Sequence, residues 1–409
     1  MPNPDLADFS PHAASFYEGG EADAVFRRLR AEDPLHWSER FGYWAVTKHA
    51  DIQSMSQRPR LFSSEQGSQL AELVRIAEGR PRPDASRADQ LARATLLRMD
   101  PPRHNQLRKA VIGAFTPRQV AALEPRIREI ARHTLDTVGE GDRIDLVERV
   151  AVPLPMIVIA ELLGVPPEHG PRFRRWSDAM IAAGAGEFGD ETRAASTELI
   201  QYVLAIAEER RRRPRGDLIS RLVAAEVDGQ PLSDLEIGMF GLTLLVAGNE
   251  TTRNLIAGGS LALLHHPEQH ERLLATPGLL PNAIEEMLRF VTPIRHVTRR
   301  ATADVEVRGR TVRAGDALVF FYGSANRDEE VFGPDAERFD ITRSDARRHL
   351  SFGFGEHVCL GAALARLEAR VLFEELFARW PRFELAETPQ PLGSPLVNGL
   401  ASLPVRRAA

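Results

Sequence analysis

The sequence predicts a mainly α fold with a minor β part, and three observations carry that expectation. Apolar residues recur at three- and four-residue spacing through much of the chain, the period of an amphipathic helix. One stretch, from Ser233 onward, meets no helix breaker before Pro267 and is apolar almost all round from Ile237 to Val246. At 1.5 Å per residue it makes a helix of about 50 Å, and a helix apolar on every side belongs in the middle of a molecule. Runs with strand character are few and short.

In chain order, residues 36–47 read as a short aromatic hairpin turning at Gly42. The segment 63–98 is rich in Ser, Gln, Gly, Arg and Pro, and Arg80-Pro81-Arg82-Pro83 breaks a helix, so it reads as a mobile surface excursion. Thr116-Pro117 then caps and opens a helix. Its apolar positions Val120, Leu123, Ile127, Ile130 and Leu135 enclose Pro125, which leaves one helix or two. Further amphipathic helices are expected around 155–164, 190–212 and 216–226, with Arg210–Arg213 as a solvated helix end. Ser233-Asp234-Leu235-Glu236 has the form of a capping box at the start of the long central helix. Strands are expected at Val297–Arg299, Val305–Val307 before a Gly309 turn, and Ala317–Phe321. A last helix over about 361–379 has Leu364, Leu367, Val371 and Leu376 on its core face. No linker divides the chain, so residues 1–409 are expected to form one domain.

Composition narrows the function classes. Fifty-two Lys and Arg against 57 Asp and Glu give a net charge of −5, which argues against a nucleic-acid-binding field. The longest apolar run, Val150 to Ala160, contains Pro153 and Pro155 and falls far short of the roughly 20 residues of a membrane span. Residues 1–20 hold no apolar core of a secretory signal. The single cysteine, Cys359, excludes an intramolecular disulfide, and a cytoplasmic location is expected.

That cysteine has unusual surroundings. Phe352-Gly353-Phe354-Gly355-Glu356-His357-Val358-Cys359-Leu360-Gly361 brackets one thiol with three glycines, immediately before a long helix. Glycines permit the close backbone approach that a flat cofactor demands. A helix start stabilises a thiolate through its dipole and free N–H groups. With no second cysteine, a zinc or iron–sulfur site of the usual kind is ruled out, whereas an axial thiolate on haem iron needs only one.

These residues resemble the haem-binding loop of the cytochrome P450 family, whose pattern Phe-Gly-x-Gly-x-His-x-Cys-x-Gly is matched at every fixed position. Ala247-Gly248-Asn249-Glu250-Thr251-Thr252 resembles the family's oxygen-activation motif on its central helix. Glu286-Met287-Leu288-Arg289 resembles its Glu-x-x-Arg pair, and Asn326-Arg327-Asp328 with Pro334, Arg338 and Phe339 resembles the loop before the haem segment. With Asp100-Pro101-Pro102-Arg103-His104, the likeness covers nearly the whole chain. It implies the P450 fold, with haem b (iron protoporphyrin IX) between the long central helix and the C-terminal Cys loop.

The resemblance makes Cys359 the metal ligand, and it implies propionate contacts from His104, Arg108, Arg299 and His357, with Ser351 and Phe352 on the thiolate side and Gly361 closing the loop. His349 is a lesser candidate. Leu244, Ala247, Gly248 and Thr251 share one helix face, where the small pair Ala247-Gly248 lets a planar ligand lie. A hydroxyl at Thr251 can break the helical ladder and hold water or O2, and a carboxyl at Glu250 can relay protons to it. Many family members carry Asp where this chain has Glu250. Glu286 and Arg289 are expected to be a buried structural pair tied to the loop around Arg338.

The expected activity is that of a monooxygenase placing one oxygen atom of O2 into a hydrophobic small molecule: a terpenoid, sterol, lipid or secondary metabolite. No Gly-x-Gly-x-x-Gly follows a strand, so electrons are expected from an external ferredoxin and ferredoxin reductase. His104–Lys109, Arg118, Arg347, Arg348 and Arg366 would form the basic docking face. The alternatives are a peroxide-driven hydroxylase and a non-catalytic haem-thiolate sensor or ligand-binding protein. The pocket is expected to draw on 63–98, Trp176–Gly186, Leu242–Ala247 and Thr292–Val297, with Arg295 and His296 either anchoring a substrate carboxylate or pointing outward. A lid is expected from 63–98 and the segment around Gly184-Ala185-Gly186.

Overall fold

Ser233 holds both halves of the expected capping box: its Oγ accepts from Glu236 N at 3.3 Å, and its own N donates to Glu236 Oε2 at 2.9 Å. From there the central helix Asp234–His265 runs 32 residues in the computed structural model, which describes residues 9–67, 69–80, 94–138, 143–184 and 189–408. Glycines let its neighbours approach closely. A Cβ on Gly238 or Gly241 would meet Ile200 or Val203 of the helix Asp190–Arg212 at 2.8 and 2.7 Å. On Gly258 or Gly259 it would meet Val291 or Met287 of the helix Leu280–Val291 at 2.7 Å. The main apolar cluster forms around this helix, joining it to Pro153–Leu162, Glu124–Asp136 and the C-terminal helix Ala362–Arg379.

Pro125 divides the expected helix into Pro117–Ala122 and Glu124–Asp136, and it sits in the first turn of the second, where its missing N–H costs nothing. The aromatic hairpin is Leu35–Ser38 with Tyr43–Val46, turning through Gly42 at φ +64°. It forms one edge of a five-stranded sheet. Ala317–Phe321 pairs with it in parallel, His296–Ala301 follows antiparallel, and Phe62–Ser63 closes the other edge. The strand expected at Val297–Arg299 is therefore longer, and Arg299 lies within it, paired with Leu318.

The segment 63–98 differs from expectation. It holds a helix, Leu70–Ala77, whose Leu70, Leu73 and Val74 are buried against Phe41 and Tyr43 in a second apolar cluster. The expected lid rests largely on residues 81–93 and 185–188, which lie outside the described residues. Among the described residues, no helix is long and apolar enough to cross a membrane.

Candidate functional site

The Cys loop turns on two glycines in the left-handed region, Gly353 at φ +70° and Gly355 at φ +71°. A side chain on Gly355 would collide with the Ser56 carbonyl, so the loop presses directly on the preceding helix His49–Ser56. Cys359 N donates to Phe352 O at 2.7 Å, closing the loop across its base. The sulfur receives the Gly361 amide, one residue before the C-terminal helix. Its side chain is reachable by solvent yet set deep among protein atoms, and that desolvation pushes the thiol pKa up against the opposing pull of Gly361 N–H, Arg108 and Arg366. Cys359 thus faces an internal cleft rather than open water.

Cationic and imidazole groups from separate segments converge on this thiol. The His104 and His357 rings lie 4.2 Å apart. Ser64 Oγ pairs with His357 Nε2 at 3.0 Å, and burial, followed by the fields of Arg299, His104 and Arg108, lowers the His357 pKa to about 2. Desolvation also lowers the pKa of Arg108 and Arg299, and neither forms an ion pair with any described carboxylate. His104 is fully buried and its Nε2 has no hydrogen-bond partner. Two unpaired arginines and an orphaned imidazole nitrogen beside a thiol are unstable alone. They suit a dianionic group with a metal at its centre, and they fit haem.

The central helix offers a matching surface. Ala247 is exposed in the middle of an otherwise interior helix, and Leu244 and Thr251 are half-buried on the same face, while Leu245, Asn249 and Glu250 are buried. Gly248 is a correction. Its missing side chain faces Ile159, whose Cδ1 would lie 2.6 Å from a Cβ there, so it serves helix packing and only Ala247 leaves the surface flat. The helix is also unbroken at Thr251, whose Oγ1 donates to Ala247 O at 2.7 Å. Glu250 is 7% exposed, and its Oε1 has no hydrogen-bond partner. Burial raises its pKa against the opposing field of Arg253.

Linalool 8-monooxygenase of Pseudomonas putida is 37% identical over 390 residues, 93% of this chain and 94% of its own. The chain belongs to the cytochrome P450 family. Residues 278–403 match the family described as Cytochrome P450. The polyketide biosynthesis cytochrome P450 PksS of Bacillus subtilis is 36% identical over 407 residues, covering 97% of this chain and 98% of its own. The crystal structure of CYP109Q5 from Chondromyces apiculatus superposes with TM-score 0.86 at 37% identity, covering 99% of both chains. CYP109E1 from Bacillus megaterium in complex with testosterone gives 0.82 at 35%, covering 94% and 98%. Related P450s are monooxygenases and hydroxylases by name, and this chain is an enzyme of that kind. Haem is the cofactor the family implies.

The P450 fold also corrects several expected contacts. Ser351 Oγ donates to Leu288 O at 2.6 Å and accepts from Asn326 Nδ2 at 2.8 Å, so it fastens the Cys loop to the Glu-x-x-Arg helix instead of facing the thiol. His349 is buried on Glu285. Trp176 is buried, donating to Glu198 at 3.0 Å, so it does not line the pocket. Arg295 lies over the Tyr17 ring at 3.9 Å, and His296 is buried beside Phe321. Of the expected docking face, Lys109, Arg118, Arg347 and Arg348 are exposed, whereas His104 is buried and Arg366 is bound to Glu285.

One arrangement escaped the sequence. Arg366 forks onto Glu285 at 2.7 and 2.9 Å and stacks on Phe352 at 4.5 Å. His349 Nε2 donates to the same carboxylate at 3.2 Å while its Nδ1 accepts from Ser351 N at 3.1 Å. Phe352, whose carbonyl receives the Cys359 amide, is thereby clamped from two sides. Burial alone would raise the Glu285 pKa, but the hydrogen bonds from His349 and Arg366 outweigh it and hold it at about 2. A depressed carboxylate pKa stabilises the fold fully above the unfolded value of about 4.3, and the contribution fades as pH falls through the folded value. Glu285→Gln therefore lowers the urea midpoint at neutral pH and narrows its gap to the parent chain between about pH 4 and pH 2. A gap that stays constant over that window contradicts the clamp.

Proposed function

We propose that the chain is a haem b-dependent monooxygenase that inserts one oxygen atom of O2 into an apolar small molecule, with electrons from an external ferredoxin and its reductase. The observation that carries this reading is the convergence of Arg108, Arg299, His104 and His357, unpaired with carboxylates, around the cleft-facing Cys359. When bound, haem would supply O2 activation, and the Cys359 sulfur would hold its iron. The arginines and histidines would hold its propionates, and the Gly361 N–H tempers the sulfur's charge. Ala247 and Leu244 shape the opposite wall.

Protons come from the chain. Glu250 and Thr251 are not hydrogen-bonded to each other, because successive helix residues point about 100° apart. Burial biases the Glu250 carboxyl, whose Oε1 is unengaged, toward its protonated form, and Thr251 Oγ1, anchored on Ala247 O, would orient a water that carries the proton onward. Linalool 8-monooxygenase acts by name on a terpenoid, and CYP109E1 is solved with testosterone bound, which agrees with an apolar wall. Lys109, Arg118, Arg347 and Arg348 form the surface that attracts an acidic ferredoxin.

The test is product formation from a panel of terpenoids, sterols and lipids with a reconstituted ferredoxin system, after screening for spin-state shifts. NADPH-dependent product supports the reading; tight ligand binding without turnover favours the sensor, and turnover with peroxide alone favours the peroxide-driven hydroxylase. Thr251→Ala is expected to keep haem content and to change stability by about 1 kcal/mol or less. It should send most NADPH electrons to peroxide instead of product. Unchanged product per NADPH removes Thr251 from the proton path.

A further inference from the structure

A cavity of about 80 Å³ lies between the N-terminal segment and the start of the strand His296–Ala301, and none of Cys359, His104, Arg108, Arg299 and His357 lines it. Its wall includes Arg30, Arg295, Arg327, Asp23 and Glu337. Two of the arginines are paired. Arg30, 2% exposed, meets Glu329 at 2.8 Å and Glu337 at 3.3 Å, and Arg327 meets Glu337 at 3.0 Å and Asp23 at 3.8 Å. Arg27 also draws on Glu337, at 3.4 Å. Three arginines thus share three carboxylates.

Arg295 is the one left over. It has no carboxylate within ion-pairing distance among the described residues. Its Nη2 donates to Asn398 Oδ1 at 2.9 Å, its guanidinium rests on the Tyr17 ring, and its Nε is buried without a partner. Desolvation lowers its pKa to about 10, which leaves it charged at neutral pH. Burial raises the Tyr17 phenol, so that ring is neutral and offers only its face. A cation largely withdrawn from water with one uncharged acceptor is costly. Its Nη1 carries no hydrogen bond among the described residues, which leaves that end of the planar guanidinium as the donor open to an anion.

We propose that this cavity binds a small planar monoanion, a short carboxylate such as formate or acetate, on the Nη1 end of the Arg295 guanidinium. The volume suits it: one water needs about 10–15 Å³, so a space of about 80 Å³ admits a short carboxylate. The anion would brace a joint. Arg295 N donates to Leu396 O at 2.9 Å, Gly323 N donates to Arg295 O at 3.2 Å, and the neighbouring Ile294 bridges to Val397.

The experiment titrates the full-length haem-loaded protein with 13C-formate at constant ionic strength, reading line width, and follows the unfolding midpoint in parallel. Acetate serves as competitor and benzoate as an oversized control. Saturable broadening and a saturable rise in midpoint are expected with formate, reversed by acetate and absent with benzoate. Arg295→Gln should weaken formate binding at least tenfold, and Arg295→Lys, which keeps the charge but lacks the fork, should fall between. Absence of saturable formate binding in the parent chain overturns the proposal whatever the variants do. So does a midpoint that follows ionic strength equally for formate and benzoate, or Arg295→Gln binding formate as the parent does.

Discussion

Cys359→Ala abolishes the thiolate-specific absorption of the reduced, carbon-monoxide-bound protein and removes turnover to the limit of detection. No other residue can replace the sulfur, because the sequence contains one cysteine. The substitution is gentle otherwise. Cys359 is solvent-reachable, so little packing is lost, and the Cys359 N to Phe352 O bond belongs to the backbone and survives. The unfolding midpoint of the haem-free variant should therefore lie close to that of the haem-free parent chain, within about 1 kcal/mol. The propionate-side groups Arg108, Arg299, His104 and His357 are unchanged, so some haem is retained with a different spectrum. A Cys359→Ala protein that keeps the parent's reduced carbon-monoxide spectrum refutes axial ligation by this residue.

What the sequence revealed and what it hid follow from the range of the interactions. The central helix, its Ser233 cap and the division at Pro125 depend on residues within a few positions of one another, so periodicity and caps disclosed them. The exposed face at Ala247 and Thr251 is equally local. The helix Leu70–Ala77 carried the same signal, with Leu70, Leu73, Val74 and Ala77 at helical spacing. The flanking Ser, Gly and Arg-Pro residues are helix-breaking and mask that two-turn signal in the segment as a whole. Gly248 looked like a place for a ligand, and only the position of Ile159, on another helix, shows that it makes room for packing. The Glu285–His349–Arg366 clamp joins three distant parts of the chain, as does the convergence of Arg108 and Arg299. Such contacts leave no periodic trace. For Arg108 and Arg299 the family likeness supplied what spacing could not, and for the clamp nothing did.

Arg289→Lys lowers stability by about 3–5 kcal/mol and sharply reduces haem content, although charge is kept. Arg289 and Glu286 are both fully buried and meet at 2.7 and 2.8 Å. The guanidinium also donates to the carbonyls of Asn326, Ala336 and Arg338 at 2.8, 2.6 and 2.9 Å, and lies over Phe332. Glu286 in turn receives Asp340 N at 2.8 Å. One planar fork therefore ties the helix Leu280–Val291 to two stretches of the loop that leads into the Cys segment, where Asn326 also holds Ser351 and Leu350 N. An ammonium has three donors on one nitrogen and cannot span carbonyls set so far apart, so each unmet carbonyl and the half-paired Glu286 add their burial cost. Glu286→Gln should be milder, because the amide keeps the shape and one acceptor, yet it leaves a buried cation short of its partner. Urea midpoints and haem-to-protein absorbance ratios for the two variants check this. If Arg289→Lys matches the parent chain in both, the pair acts through charge alone, and the bridging of the three carbonyls contributes nothing to holding the Cys loop.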